Sequence, residues 1–548
     1  MILDARSIAA GTTVEAEVCL VGSGTAGITV AREFIGRPFR VCLLESGGLT
    51  PDPATQSLAF GDNIGFPYYP LDTLGARFFG GSSNRWHVEM GPNRLGARLR
   101  PLDPLDFEPR DWVPFSGWPF GRGHLDPYYD RAQQVCQVEP VTFDAGHWSD
   151  PASRPLLPLH GDEVQTIIYK IGDREPFVRR YPDEITRAGN ITAWLHAHVL
   201  EIETNDAADH VTAVRVGTLG GPEFRVAAKM FIVATGGIET PRLLLLSNRR
   251  RPAGLGNDHD LVGRFFMEHP HFWAGVLLPG DAGMLRSTGL YNGVHLVDGV
   301  AILGKLALSE ATLRREKLLN HNIQLIPWLP SDPREPVGRW GSRPPLPPAV
   351  ASLKAMKPLL RGRSVPGAGR HIGHVLGGLD DVVAALARKA WKRVVGAHRL
   401  PAFVLANMME QVPNPDSRVT LGERLDLFGQ RRAQLDWRIT TQDVRSARRT
   451  QEIIGAAWER AGLGRHSPGL HGDAPHPGTH GGYHQMGTTR MHDDPKQGVV
   501  DARCRVHGVG NLFVAGPSVF PTGGYANPVL TLVALAIRLA DDVKARLC

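Results

Sequence analysis

A chain of 548 residues with 42% hydrophobic and 21% charged side chains is long enough for two hydrophobic cores and has the composition of an ordinary soluble globular protein. Its formal charge of +6 is small for the length, and no stacking-aromatic motif or zinc spacing supports a nucleic-acid partner. Five scattered cysteines, Cys19, Cys42, Cys136, Cys504 and Cys548, include no C-x-x-C pair, which argues against a disulfide framework and predicts a reduced, cytoplasmic protein.

The first residues contain acidic Asp4 and no basic stretch ahead of an apolar one, so they do not read as a signal peptide. Val18–Val21 then predicts a short buried strand. It leads into Gly22-Ser23-Gly24-Thr25-Ala26-Gly27, an apolar-periodic helix to about Phe34, and a second strand, Val41–Leu44, ending at Glu45-Ser46. This β-loop-α-β unit is a dinucleotide-binding fingerprint. Gly22 makes the tight turn, Gly24 lets the backbone approach a pyrophosphate, and Gly27 lets helix and strand pack closely. The helix N-terminus at Thr25 and Ala26 stabilises phosphate charge, and Glu45 can accept hydrogen bonds from ribose hydroxyls.

Further along, Ile191–Glu203 and Val211–Val216 read as a strand pair edging the adenine, with Val199 on it. Phe231–Val233 is another buried strand, ending in Ala234-Thr235-Gly236-Gly237 and followed by a helix over Arg242–Leu246. The chain therefore returns to the nucleotide sheet after a long excursion. Met267-Glu268-His269-Pro270-His271 pairs two histidines without a third ligand, so no metal site is predicted.

Residues 331–400 carry thirteen Lys/Arg against four Asp/Glu and are rich in Pro and Gly in their first half. They read as a solvated mobile lid or surface loop, with docking on an acidic partner or membrane surface as the other reading. Arg418–Leu421 and Gln434–Ile439 predict strands, and Arg445–Ala461 a helix. Gly508–Ile537 has no charged residue and is long enough to span a bilayer, but its glycines and prolines break it up. A strand over Asn511–Ala515 ending at Gly516, a glycine-rich loop and a buried helix are expected there, with no transmembrane segment.

The densest chemical signal is His484-Gln485-Met486-Gly487-Thr488-Thr489-Arg490-Met491, followed by Gly498-Val499-Val500-Asp501, Asn511–Gly516 and Gly523-Gly524-Tyr525-Ala526-Asn527-Pro528. Together with the first glycine loop, Gly80-Gly81-Ser82-Ser83-Asn84-Arg85-Trp86 and Ala234–Pro241, these segments resemble the glucose-methanol-choline (GMC) oxidoreductase family. The resemblance runs from about residue 15 to 545 and is specific, because separated motifs occur in the family's order. Asn527, where many relatives have histidine, makes the chain similar to the pyranose oxidase-like and bacterial sugar-oxidising branch.

The resemblance implies an α/β fold with a Rossmann-like FAD-binding domain and a discontinuous α+β substrate domain on an antiparallel sheet. The FAD-binding domain would comprise 1–95, 186–264 and 481–548, and the substrate domain 96–185 and 265–480. It implies oxidation of a sugar or glycoside hydroxyl, with hydride transfer to flavin N5, His484 as base and Asn527 as catalytic partner. Beyond the first glycine loop and Glu45-Ser46, it implies that Gly81, Ser82, Asn84, Arg85, Trp86, Val199, Ala234, Gly236, Gly516, Asn527 and Pro528 contact the cofactor. Arg85 stands where a histidine can be tied covalently to flavin in the branch, so non-covalent FAD is expected.

A neutral imidazole near its ordinary pKa suits the base's role. Asn527-Pro528 also reads as an N-cap and N1 pair opening the last helix, whose positive end would face the flavin. A non-redox FAD-containing lyase of the hydroxynitrile lyase type and a nicotinamide-linked enzyme are the alternatives. The choice between oxygen and another electron acceptor is not specified by the residues.

Overall fold

The computed structural model describes residues 1–91, 93–281, 287–328 and 402–548, and the basic stretch 331–400 lies outside them. The N-terminal strands build a mostly parallel sheet. β1 (Ile2–Asp4), β2 (Thr13–Val21), β3 (Val41–Leu44), β4 (Ile191–Leu195) and β7 (Glu223–Val233) lie in the order β1-β4-β3-β2-β7, all parallel. The last four residues of β2 and all of β3 are buried, as expected for strands covered on both faces. Helix α1 (Thr25–Glu33) and the last helix (Val529–Leu547) pack together on this sheet.

The predicted strand over Ile191–Glu203 is in fact two. β4 ends at Leu195, His196 takes a left-handed φ of 57°, and β5 (His198–Thr204) starts a new direction. The turn is tied down by Ala197 N–H donating to the Glu45 carbonyl at 2.9 Å. β5, β6 (Val211–Gly217) and β7 then form an antiparallel meander. Strand β7 serves two partners on one edge: β6 pairs with its first half and β8 (Leu512–Val514) with its last three residues. Asn511 fills the fork, its amide accepting from Val211 N–H at 2.8 Å and donating to Val211 and Lys229 carbonyls at 2.9 and 3.0 Å.

Two helix starts differ from the sequence reading. Helix α2 spans Gly236–Leu246, beginning before Arg242, with Pro241 inside it. Proline has no N–H to offer the Gly237 carbonyl, and Thr488 Oγ1 donates to that carbonyl instead at 2.7 Å. In the last helix Pro528, not Asn527, is the N-cap, and Leu532 N–H donates to the Pro528 carbonyl at 2.8 Å. Asn527 makes no cap hydrogen bond because its side chain is engaged elsewhere.

The second sheet is antiparallel, in the order 464–467, 271–279, 402–409, 321–328, 300–308, 164–173, 94–99, 88–91, with 295–297 a hairpin partner of 300–308. Because Val88–Gly91 and Arg94–Leu99 belong to it, the chain crosses into this sheet before residue 95. The strands predicted at Arg418–Leu421 and Gln434–Ile439 run over Arg418–Leu425 and Arg431–Asp436, and they pair with each other in a separate three-stranded sheet with Asp62–Asn63. The predicted helix spans Thr441–Arg460 and opens with a Thr440/Asp443 capping box. Its face bearing Val444, Ala447, Gln451, Ile454 and Trp458, spaced at three and four residues, is buried.

The five cysteines are free thiols, all buried except Cys548. Among the described residues, no helix is long and apolar enough to cross a membrane.

Candidate active site

The glycine loop after β2 is built for close approach. A Cβ on Gly22 would lie 2.7 Å from the Ala234 carbonyl oxygen, and one on Gly27 would lie 1.9 Å from that of Gly22. Gly24, Gly236 and Gly516 are different: a Cβ at each would meet nothing within 4 Å, which leaves open space beside the ends of β2, β7 and β8. Gly24 caps α1 without a side-chain hydrogen bond, so Thr25 and Ala26 start a helix whose first N–H groups have no capping side chain.

Glu45 holds this loop to the end of β3. It accepts from Ser23 N–H at 3.1 Å, Ser23 Oγ–H at 2.6 Å, Gly47 N–H at 2.8 Å and Ser46 Oγ–H at 3.3 Å. Gly80 N–H donates to the Ser23 carbonyl at 3.1 Å, which seats Gly81 and Ser82 on the same loop. Val199 follows the turn anchored to Glu45.

Three other candidates have partners within the protein. Asn84 donates to the Phe79 and Gly81 carbonyls, both at 3.0 Å, and shapes its own turn. Arg85 is bound to the Thr73 carbonyl, and Trp86 packs edge-on against Phe177 with ring centres 5.2 Å apart.

A crossing of two distant segments creates the chemical centre. Met267 and Met486 exchange backbone hydrogen bonds at 3.0 and 2.9 Å, and so do His271 and His480 at 2.8 and 2.9 Å. From the Met267–Met486 bridge, antiparallel register places His269 opposite His484. Two extra residues, Gly481 and Gly482, loop out before the second bridge. The rings of His269 and His484 meet Nδ1 to Nδ1 at 2.9 Å, and His484 Nε2 lies 3.0 Å from Asn527 Nδ2.

The centre is held from behind by Glu268, which is fully buried. Its carboxylate accepts from the N–H groups of Gly482 at 2.9 Å and His269 at 3.1 Å. The His484 N–H reaches both its oxygens, at 2.9 and 3.0 Å, and the Tyr68 hydroxyl is also bound. Asn527 is 7% exposed, and its Oδ1 has no hydrogen-bond partner. A buried amide oxygen left so is costly unless a ligand meets it.

Residues 413–536 match the family model described as GMC oxidoreductase. Paromamine 6'-oxidase of Streptomyces fradiae is 24% identical over 96% of this chain and 91% of that protein. The fructose dehydrogenase large subunit of Gluconobacter japonicus is 26% identical over 97% of this chain and 98% of that protein. The crystal structure of a formate oxidase shares the fold with a TM-score of 0.56 at 16% identity, covering 98% of this chain and 99% of that one. The chain thus carries, over residues 413–536, a GMC oxidoreductase domain.

It is therefore an FAD-dependent oxidoreductase acting on an alcohol group. The residues fit that cofactor. The open glycine positions at the strand ends and the uncapped α1 terminus suit a pyrophosphate, the Glu45 carboxylate at the end of β3 suits a ribose, and the Asn527 amide oxygen beside His484 is unpartnered.

The electrostatics favour a neutral His484. Burial drives its pKa well below 6.5, and the neighbouring basic groups His269, Arg98, Lys305 and His87 each oppose a second proton on it. The ordinary imidazole pKa expected from sequence is thus corrected downward. Burial likewise lowers His269 to about 4 and takes His271 well below its usual value. Glu268 moves the other way: burial raises it to about 7, opposed by the Tyr68 hydroxyl and the N–H groups of His484, Gly482 and His269. Every group that touches it is a donor, the pattern a carboxylate requires.

His269, Glu268 and Tyr68 were not singled out as site residues by sequence. The only signal was Met267-Glu268-His269-Pro270-His271, in which no metal site was expected; His269 bonds His484, and His271 stacks edge-on with His480 at 5.8 Å.

Proposed function

We propose that the protein oxidises a hydroxyl of a sugar or glycoside to a carbonyl, with His484 as the base and Asn527 as the partner that holds the oxygen. The observation that carries this reading is the pairing of His484 Nε2 with Asn527 Nδ2 at 3.0 Å, an acceptor beside a donor. A hydroxyl entering between them would donate its hydrogen to Nε2 and accept from the Asn527 amide. As proton transfer proceeds, the amide hydrogen bond strengthens on the developing negative oxygen. Bound FAD supplies the hydride acceptor.

Similarity to proteins named for paromamine and fructose supports a carbohydrate substrate. Their names as oxidase and dehydrogenase favour redox turnover over a lyase role on the same scaffold. The buried free thiols support a reducing, cytoplasmic setting.

Anaerobic mixing of the purified yellow protein with a panel of sugars and glycosides tests the reading. Bleaching of the flavin absorbance by at least one of them is expected. A cyanohydrin cleaved while the flavin stays oxidised, with no sugar able to bleach it, would establish the lyase instead.

The attachment of the cofactor follows from Arg85, which offers no nucleophilic ring nitrogen and is occupied by the Thr73 carbonyl. Acid precipitation should release all the flavin to the supernatant; a yellow pellet would refute non-covalent binding.

A further inference from the structure

We infer that His269 is a positioning residue that sets the proton tautomer of His484, leaving Nε2 of His484 as the free lone pair that faces Asn527. The inference deepens the reading of His484 as base and rests on it for its catalytic consequence. It follows from hydrogen-bond polarity along a chain of three contacts.

His269 Nε2 lies 3.4 Å from the Gly523 carbonyl, which can only accept, so that nitrogen carries the hydrogen. A neutral His269 then presents a lone pair at Nδ1. Its full burial keeps it neutral at ordinary pH, with a pKa of about 4. The facing nitrogen at 2.9 Å, His484 Nδ1, must therefore be the donor. A neutral His484 protonated at Nδ1 has its lone pair at Nε2, and the Asn527 amide N–H points at it from 3.0 Å.

Every contact has one donor and one acceptor, and the chain begins at Gly523 and ends at Asn527 in the same loop. The reverse polarity would set the Nε2–H of His484 against the amide N–H of Asn527. It would also leave His269 Nε2 as a lone pair against a carbonyl oxygen.

The other groups facing this pair do not supply an alternative. Glu268 bonds the backbone N–H of both histidines. His271 and His480 lie along the crossing, while Arg98, Lys305 and His87 act on His484 through charge that opposes a second proton. The nitrogen that His484 turns toward His269 is thus fixed by His269 alone, as an orienting partner fixes a metal-bound or catalytic imidazole.

The test combines kinetics with 15N NMR of the histidine-labelled FAD holoenzyme, the two rings being assigned with His269→Asn and His484→Gln. Wild type should show His484 protonated at Nδ1 and His269 at Nε2. His269→Phe removes the acceptor and should shift His484 toward Nε2 protonation. Flavin reduction should slow about 10–100-fold, the usual effect of losing such an orienting partner, with substrate affinity and FAD content little changed. His269→Asn, whose Oδ1 sits near the position of Nδ1, should restore the tautomer and most of the rate.

A wild-type His484 protonated at Nε2, or an unchanged tautomer in His269→Phe, would overturn the inference. If His269→Phe does not fold, the wild-type spectrum and His269→Asn still decide it. A shifted tautomer with an unchanged rate would leave the inference standing and would instead refute His484 as the base.

Discussion

His484→Ala should keep its FAD and lose about 10²–10⁴-fold in the rate of flavin reduction, the range a positioned general base contributes. The cofactor should be retained because the glycine loop, Glu45 and Gly516 are all untouched, and the Glu268 contacts to residue 484 run through its backbone N–H. Substrate affinity should change much less than the rate, since proton transfer is felt in the transition state. Asn527→Ala should also slow reduction, and it should not cost the stability of a lost helix cap, because Pro528 occupies that position.

The pH profile adds a second readout. The neutral form of His484 is the active one, and burial with nearby positive charge holds its pKa well below 6.5. As pH falls from 8, the reduction rate should therefore stay on its plateau through the ordinary histidine pKa and decline only further into acid. Stopped-flow anaerobic reduction with a confirmed substrate, from pH 5 to 8, measures both effects. Wild-type reduction rates in His484→Ala would move the base elsewhere in the pocket.

What could be read from sequence was what lies close together in it. The β2-loop-α1-β3 unit is consecutive; in it Gly22 and Gly27 pack against backbone, while Gly24 opens on space. The local rules failed where tertiary partners outweighed them. Asn-Pro ahead of an apolar run is a sound cap signal, yet the Asn527 amide is committed to His484. Pro241 marked a helix boundary until Thr488, some 250 residues away, took the carbonyl that proline leaves free.

The Met267–His271 crossing with His480–Met486 pairs residues more than two hundred positions apart, and no periodicity within either segment announces it. His269 and Glu268 are therefore visible only once the two strands are laid side by side. The second sheet's order likewise skips repeatedly along the chain.

Glu45→Ala should purify as largely apo protein and regain its yellow colour only at raised FAD. The carboxylate stands where it can take ribose hydroxyls, and it also staples the phosphate loop, so the substitution acts twice. Ser23 is fully buried, and its N–H and hydroxyl both donate to Glu45 Oε2. Removing their acceptor leaves buried donors unsatisfied, at about 1–3 kcal/mol, and frees the loop that carries Gly24. Glu45→Gln keeps one acceptor oxygen but brings an amide N–H₂ against donors, so it should fall between wild type and alanine. The His484–Asn527 centre shares no hydrogen bond with Glu45. At saturating FAD the reconstituted Glu45→Ala enzyme should thus reduce its flavin at close to the wild-type rate, the reverse of the pattern expected for His484→Ala. A titration of flavin absorbance against added FAD, followed by anaerobic reduction of the reconstituted protein, separates the two. Full flavin in the freshly purified variant would show that the β2-α1-β3 unit does not depend on Glu45 to hold the nucleotide.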